Sequence, residues 1–325
     1  MKEKEIVNKD EKNRHDACFI CGSNTLVAMP RYSRHHLCRC KNCGFVFCRP
    51  VPTEEELIAH YKSYGRNDYL SPVTVKRYHE LLDKFESQML DRPAAKSSSK
   101  TESGTEGRER SAPLRVLDWG AGIGYFLETA KERGWEVYGT EYTSHAVEIC
   151  CEKGITMFQG PLSAVDMPGN SFDLITSFEV IEHINNPMEE MERIIDLLKP
   201  GGLFYCTTPN FNSLLRYYLK DDYNVITYPE HLSYYTPRTL HRLLRDAGLK
   251  KIFMKSTGIS LTRFKKSRKT SEEALISPVS TDERIRVSAE KKWYLKGIKS
   301  AINGVLTATG KGDTLKALYK KPGKA

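Results

Sequence analysis

Three groups of residues in this 325-residue chain have the types and spacing to do chemistry. The first is Glu179-Val180-Ile181-Glu182-His183, with a second imidazole later in Pro229-Glu230-His231. If the chain turns helically at 179, then Glu179, Glu182 and His183 share a face at i, i+3 and i+4. Two carboxylates and two imidazoles suit a divalent ion such as Mg²⁺, Mn²⁺ or Zn²⁺. A metal held there would lower the pKa of a bound hydroxyl and orient it for attack. Without metal, His183 or His231 can serve as a general base near working pH. A third reading gives Glu182 and His183 only the task of satisfying backbone groups at a strand end. The residues alone leave the three readings open.

The second group is Val116-Leu117-Asp118-Trp119-Gly120-Ala121-Gly122-Ile123-Gly124, with Glu141 some twenty residues on. Glycines after a strand and before a helix allow a tight turn and close backbone approach to a ligand. A carboxylate ending the next strand can accept both hydroxyls of a ribose. Glycine spacing alone also fits nicotinamide dinucleotide sites.

The third group is Cys18-Phe19-Ile20-Cys21-Gly22 and Cys40-Lys41-Asn42-Cys43-Gly44. Two C-x-x-C-G knuckles at this separation have four-cysteine zinc-ribbon spacing. Six of the nine cysteines lie between Cys18 and Cys48, and in a reducing compartment that density points to metal rather than disulfides. Cys38 and Cys48 are left over, and Cys38 could compete as a ligand. So small a module has little core of its own, so bound metal would supply its folding energy. A redox C-x-x-C pair is the rival reading. Arg31, Arg34, His35, His36 and Arg39 make the ribbon loop basic, which also fits a nucleic-acid grip.

These groups need elements to position them. After Pro113, strand-like and helix-like segments alternate through LRVLDW, YFLETAKERG, WEVYGTE, SHAVEICCEKG, ITMFQG, FDLITSFEV, PMEEMERIIDLLKPGG, LFYCTTP, TPRTLHRLLRDAG and LKKIFMKST. Such alternation predicts an α/β domain with a parallel sheet covered on both faces. Thr236 is the predicted N-cap of the TPRTLHRLLRDAG helix, with Pro237 in its first turn. Residues 259–311 interrupt the alternation, and GDTLKALYKKP can return as a last strand. The expected organisation is a disordered lead over 1–17, the ribbon over 18–50, a helical connector over 51–95, a flexible linker over 96–112 and the catalytic domain over 113–325. In the connector, Thr53 and Glu56 suggest a capping box, and a second helix is expected over roughly Val73 to Leu90.

Composition sets the outer limits. Hydrophobic residues make up 39% and charged residues 28%, as in a globular protein. No apolar run reaches the ~18 residues that span a bilayer, and the charged start MKEKEIVNKDEKNRHD does not read as a secretory signal. A cytoplasmic location is expected. The net charge is +9, and it belongs to the C-terminal part: residues 261–325 hold 16 Lys/Arg against 6 Asp/Glu, or +10, leaving −1 for the rest. Within 283–306, Leu295, Ile298, Ile302, Val305 and Leu306 fall on one helical face, flanked by Lys292, Lys296 and Lys299. That helix could rest on an anionic membrane surface, placing the chain at the inner face of the membrane, or pack its stripe on the catalytic domain.

Taken together, Asp118 to Gly124, Glu141, Phe172-Asp173, Phe178-Glu179 and Lys199-Pro200-Gly201-Gly202 resemble the class I S-adenosylmethionine-dependent methyltransferases over about residues 113–257. The resemblance implies a Rossmann-like sheet with an N-terminal zinc ribbon and a helical C-terminal insertion. It implies that Asp118, Gly120, Ala121, Gly122 and Gly124 hold the methionine part of the cofactor and Glu141 the ribose. Tyr142, Leu162 and Phe178 would line the adenine pocket. Many relatives place an Asp near Leu162; here the stretch is Gly160-Pro161-Leu162-Ser163, which assigns the adenine amine to backbone or Ser163. The Glu-x-x-Glu-His pattern looks like the small-RNA 2′-O-methyltransferases and the ubiquinone-pathway O-methyltransferases, which use a metal there. Gly44-Phe-Val-Phe-Cys-Arg-Pro-Val-Pro-Thr-Glu-Glu-Glu-Leu and Pro229-Glu230-His231-Leu-Ser-Tyr-Tyr-Thr-Pro are similar to a bacterial subfamily that fuses a ribbon to a methyltransferase. That subfamily often lies among surface-polysaccharide or secondary-metabolite genes. Sugar C-methyltransferases carry a similar ribbon and a further C-terminal domain, for which this chain is too short. The expectation is O-methylation of a sugar hydroxyl in an envelope glycan or its precursor. The alternatives are RNA 2′-O-methylation and a binding module without turnover. The oligomeric state is not legible.

Overall fold

The structure is a computed structural model that describes residues 14–53, 55–57, 72–90, 112–260 and 293–323. Seven strands form the main sheet: β4 (Arg115–Trp119), β5 (Glu136–Glu141), β6 (Thr156–Gln159), β7 (Phe172–Phe178), β8 (Leu198–Pro209), β10 (Lys250–Thr257) and β11 (Thr314–Lys320). Their spatial order is β6-β5-β4-β7-β8-β11-β10. Central strands β4, β7 and β8 are buried along almost their whole length. Near-continuous apolar runs are what a parallel strand covered on both faces requires. Edge strand β6 is exposed at both ends.

The sheet is not all-parallel. β11 pairs antiparallel with both β8 and β10. It is the GDTLKALYKKP segment, returning between two strands already in place, with Leu315, Ala317, Leu318 and Tyr319 fully buried. Alternating β and α segments give no cue to the direction of a strand that returns after a long insertion.

Helices α1 (Pro72–Leu90), α2 (Tyr125–Lys131), α3 (Ser144–Glu152), α4 (Pro187–Leu197), α5 (Leu214–Leu219), α6 (Pro237–Asp246) and α7 (Trp293–Thr309) accompany the sheet. Thr236 caps α6 in a capping box with Thr239. Thr53 and Glu56 also exchange side-chain and backbone hydrogen bonds, of 2.8 and 3.2 Å. α1 is part of the catalytic core rather than a connector. Its Leu82, Phe85 and Met89 are buried with Val116, Phe126 and Tyr205. Arg133 ties α2 to it through Asp83 at 2.7 Å and Glu86 at 3.3 Å. The linker expected over 96–112 lies, apart from Ala112, outside the described residues. Of the expected lead over 1–17, residues 14–17 are described, and they are held. Arg14 bridges Pro50, and the His15 amide donates to the Arg49 carbonyl.

The ribbon carries β1 (Leu26–Ala28), β2 (Leu37–Cys40) and β3 (Val46–Cys48). Its sheet has a fourth strand, β9 (Ser233–Tyr234), supplied by the catalytic half of the chain. Cys18, Cys40, Cys43, Phe45 and Phe47 share one core cluster with Leu117, Trp119, Ile175 and Tyr235. The ribbon therefore does not stand apart as a separate module.

The apolar stripe of α7 is only partly covered. Leu306 is 5% exposed, but Ile298, Ile302 and Val305 are 53%, 48% and 64% exposed. Packing of the whole stripe on the catalytic domain is thereby corrected. Residues 283–292 of the expected helix, like 261–282, lie outside the described residues.

Candidate active site

Strand order reverses between β4 and β7: the chain passes from β4 outward through β5 to β6, then returns to place β7 on the other side of β4. Open α/β sheets bind ligands at the carboxyl ends of strands at such a switch point. Two of the three candidate groups, the glycine loop with Glu141 and the Glu179–His183 segment, follow β4, β5 and β7 at this edge.

After β4, Gly120, Gly122 and Gly124 all have positive φ, at 73°, 56° and 80°. At Gly120 a Cβ would sit 2.5 Å from Val180 Cγ2, and at Gly124 2.7 Å from Ile155 Cδ1. These positions therefore exclude side chains on both conformational and steric grounds. The Gly120 amide donates to Thr140 Oγ1 (3.3 Å) and the Ala121 amide to the Thr140 carbonyl (2.9 Å). Glu141, ending β5, accepts the Gly122 amide on Oε2 at 3.0 Å and the Tyr142 amide on Oε1 at 2.9 Å. The Thr143 amide and hydroxyl also reach Oε1, at 3.4 and 3.2 Å. The roughly four acceptor sites of the carboxylate are thus met by the loop, and a ribose hydroxyl would take the place of these longer Thr143 contacts. Asp118 is buried, and Thr176 donates to its Oδ1 at 2.7 Å. Burial pushes the Asp118 carboxyl up to about 7; the Thr176 bond opposes this and the Glu141 charge adds to it.

The residues expected at an adenine pocket do not share one wall. Leu162 is fully buried in the cluster holding Leu117 and Trp119. Phe178 packs instead on Phe126, Tyr78 and Tyr205, with ring centroids at 5.0, 5.9 and 5.6 Å. Strand alternation separates them: Ile175 of β7 faces the first cluster, and Phe178, three residues on, faces the second. Tyr142 stands at the end of β5 with 65% of its surface exposed.

After β7 the chain does not continue as one helix. Glu179 has φ 56°, Val180 lies outside helical space, and a short 3₁₀ turn begins only at Ile181–His183. The left-handed residue breaks the helical spacing on which a face shared by Glu179, Glu182 and His183 rested. Glu182, His183 and His231 do come together, each offering one ligand atom within 4.8 Å of the others. Glu179 is not part of that group, which corrects the four-ligand expectation. A non-glycine residue in the left-handed region is strained and clusters at functional sites.

Hydrogen bonds fix both imidazoles. His183 Nδ1 lies 2.7 Å from the Glu230 carbonyl, and His231 Nδ1 lies 2.6 Å from the Val225 carbonyl. A carbonyl only accepts, so each Nδ1 carries the hydrogen and Nε2 is the lone-pair nitrogen of the neutral ring. The rings stand 4.7 Å apart at 77°. Glu182 is 2% exposed and accepts from Thr208 Oγ1 at 2.9 Å. Imidazoles anchored through Nδ1 and a buried, oriented carboxylate form a donor set that fits a divalent ion. It equally suits a proton acceptor. Thr140, Thr176, Thr208 and the Glu230 and Val225 carbonyls were not visible in sequence, because their roles are set by contacts between distant strands.

The ribbon reaches this site directly. The Cys48 amide donates to the Leu232 carbonyl, and the Leu232 amide to the Glu182 carbonyl, both at 2.8 Å. The Cys48 thiol lies 3.2 Å from the His35 carbonyl and 3.4 Å from that of His231. Ser233 Oγ donates to the Ile184 carbonyl at 3.0 Å. Cys48, a leftover in sequence, thus stitches the ribbon to the loop carrying His231.

The four knuckle thiols lie within 4.8 Å of one another, with Cys18–Cys43 and Cys21–Cys40 at 3.5 Å. A tetrahedron with Zn–S of about 2.3 Å has edges of about 3.8 Å, so this donor set fits zinc. Burial alone would raise the Cys40 thiol, but backbone amides of Cys43 and Asn42 and the Cys21 thiol bring it down to about 7.

A family model described as a methyltransferase domain matches residues 75–252. That is more than half of the chain, and the chain belongs to this family. Among curated relatives, ubiquinone biosynthesis O-methyltransferase of Cereibacter sphaeroides is 30% identical over 165 residues, covering 44% of this chain and 64% of the relative. The protein of the same name from Ruegeria pomeroyi is 33% identical over 161 residues, covering 45% and 64%. The chain thus spans just under two thirds of these relatives' length. Among solved structures, a SAM-dependent methyltransferase from Archaeoglobus fulgidus aligns over 82% of this chain and 99% of its own, with TM-score 0.48 and 18% identity. Phosphoethanolamine N-methyltransferase 2 of Haemonchus contortus aligns over 85% and 63%, with TM-score 0.47 and 18% identity.

Proposed function

We propose that this protein transfers a methyl group from S-adenosylmethionine to a hydroxyl. The observation that carries the reading is the Glu182–His183–His231 group, placed one short turn beyond β7 at the switch point and beside the glycine loop. Asp118, Gly120, Ala121, Gly122, Gly124 and Glu141 are the residues to hold the cofactor, which supplies a methyl on a positively charged sulfur. The buried Asp118 carboxyl and the oriented Glu141 carboxylate suit an ammonium and a ribose. A hydroxyl needs to lose its proton as it attacks. The lone-pair Nε2 atoms of His183 and His231 can take that proton, or with Glu182 they can hold Mg²⁺ or Mn²⁺ that lowers the hydroxyl's pKa. Relatives named O-methyltransferases agree with oxygen as the acceptor atom.

The acceptor we favour is a sugar hydroxyl in an envelope glycan or its precursor, on the likeness to ribbon-fused bacterial methyltransferases. The basic ribbon loop keeps RNA as the second reading. Radiolabelled methyl from S-adenosylmethionine should enter glycan or nucleotide-sugar fractions of host cells. Label found only in RNA would overturn the sugar reading, and cofactor binding without label in any fraction would favour a binding-only role.

Among the described residues no helix is long and apolar enough to cross a membrane. The exposed Tyr294, Ile298, Ile302 and Val305 of α7 support peripheral contact with the inner membrane face. Flotation with anionic vesicles tests this, and failure to float removes it.

A further inference from the structure

An open groove of about 780 Å³ runs between the ribbon hairpin and α5. Its walls carry Arg31, Arg39, Lys41 and Arg216, and no carboxylate lines it. Arg31, Arg39 and Lys41 are exposed, whereas Arg216 is only 8% exposed. The Arg216 guanidinium donates to the Phe211 carbonyl at 2.6 Å and to the Tyr32 hydroxyl at 3.1 Å. It lies over the Phe211 and Tyr217 rings at 4.4 and 3.9 Å. All of these partners are neutral. Among the described residues no carboxylate lies within 4.0 Å of it, and Asp221 and Asp222 face Arg34 instead.

A buried charge with neutral partners only is costly unless a counter-charge arrives. Guanidinium groups recognise phosphate oxygens in a two-pronged way, and flanking lysine adds a point charge. Four cations among walls otherwise formed by residues such as Val27, Met29 and Pro30 make the groove a net positive site, and its volume falls in the range of small-molecule sites. The groove is also tied to the candidate active site. The Phe211 amide donates to the Tyr235 carbonyl at 2.7 Å, directly after β9 and the loop that carries His231.

We infer that this groove is a phosphate-binding subsite that takes the diphosphate of the methyl acceptor, as in a sugar diphosphate ester. The assignment of the bound molecule as acceptor rests on the proposed methyl transfer; the anion site itself does not. The ribbon would then serve in acceptor recognition, with Arg216 as its buried anchor.

The test is calorimetric titration of the zinc-loaded full chain with inorganic pyrophosphate, with uridine diphosphate and with an RNA oligonucleotide. S-adenosylmethionine is titrated into the same samples. Because Arg216 is buried, Arg216→Lys is paired with the exposed double variant Arg39→Ala/Lys41→Ala, which should keep the fold. Pyrophosphate and uridine diphosphate should bind one per chain, more weakly at high salt. The double variant should weaken both by about tenfold or more. Absence of pyrophosphate binding, or binding that neither variant changes, overturns the subsite. RNA binding that excludes pyrophosphate and is far tighter overturns it in favour of nucleic acid. Cofactor binding that persists while pyrophosphate fails would sink the subsite and leave the methyl-transfer reading standing.

Discussion

If the four knuckle cysteines hold zinc, as their geometry fits, stripping it should release the loop that carries His231, while the main sheet stays folded. Four contacts join ribbon strand β3 to that loop: the Cys48 amide to Leu232, the Cys48 thiol to His231, and the Val46–Tyr234 and Phe47–Ser233 pairings. At about 1 kcal/mol net for each, they contribute roughly 4 kcal/mol of local stability. That corresponds to about a thousandfold in the opening equilibrium. Hydrogen exchange followed by mass spectrometry on zinc-loaded and chelator-treated protein reads it directly. Peptides covering 229–236 should exchange about a thousandfold faster without zinc, and peptides covering β7 should hardly change. Unchanged protection at 229–236 in verified zinc-free protein would refute the coupling. Equal loss of protection in β7 would refute its local character.

Gly120→Ala should weaken S-adenosylmethionine binding at least tenfold and destabilise the fold by about 2 kcal/mol, as seen in titration and urea unfolding. Its φ of 73° and a Cβ 2.5 Å from Val180 both oppose it. For Asp118 the folded pKa of about 7 lies above the usual carboxylate value. Cofactor-free protein should then lose stability as pH rises from about 4 to 7, by up to ~1.4 kcal/mol per unit. Urea midpoints across that range check it, and Asp118→Asn should flatten the slope. His183→Ala and His231→Ala should each lower kcat by about 10²- to 10⁴-fold. In zinc-loaded protein freed of other divalent ions by gel filtration, turnover that needs added Mg²⁺ or Mn²⁺ assigns these residues to metal, and full turnover without either assigns them to proton transfer.

Much of this was legible in the chain because the signals are local. The glycine loop between β4 and α2, the carboxylate closing β5, the two knuckles and the capped α6 each depend on residues adjacent in sequence. What was not legible depends on distant partners. Ser233 and Tyr234 are too short a run to read as a strand, and they become one only because β3 offers them an edge. α1 reads as an isolated amphipathic helix, yet its Phe85 finds Tyr205, 120 positions away, at 5.2 Å between ring centroids. Helical spacing placed Glu179 with Glu182 and His183, but a single left-handed residue removed it. The charge imbalance around Arg216 is invisible in sequence, since which acids lie near it is a matter of folding.

Methyl transfer to oxygen is expected at the Glu182–His183–His231 group. The direct measurement incubates the zinc-loaded protein with S-adenosylmethionine carrying a ¹³C methyl and a glycan-precursor fraction. Mass spectrometry and carbon NMR then identify the atom that carries the label. The expected result is a methyl ether on a hydroxyl oxygen, formed by the intact chain and lost in His231→Ala. Label on nitrogen or carbon, or an ether formed equally well by His231→Ala, would contradict it.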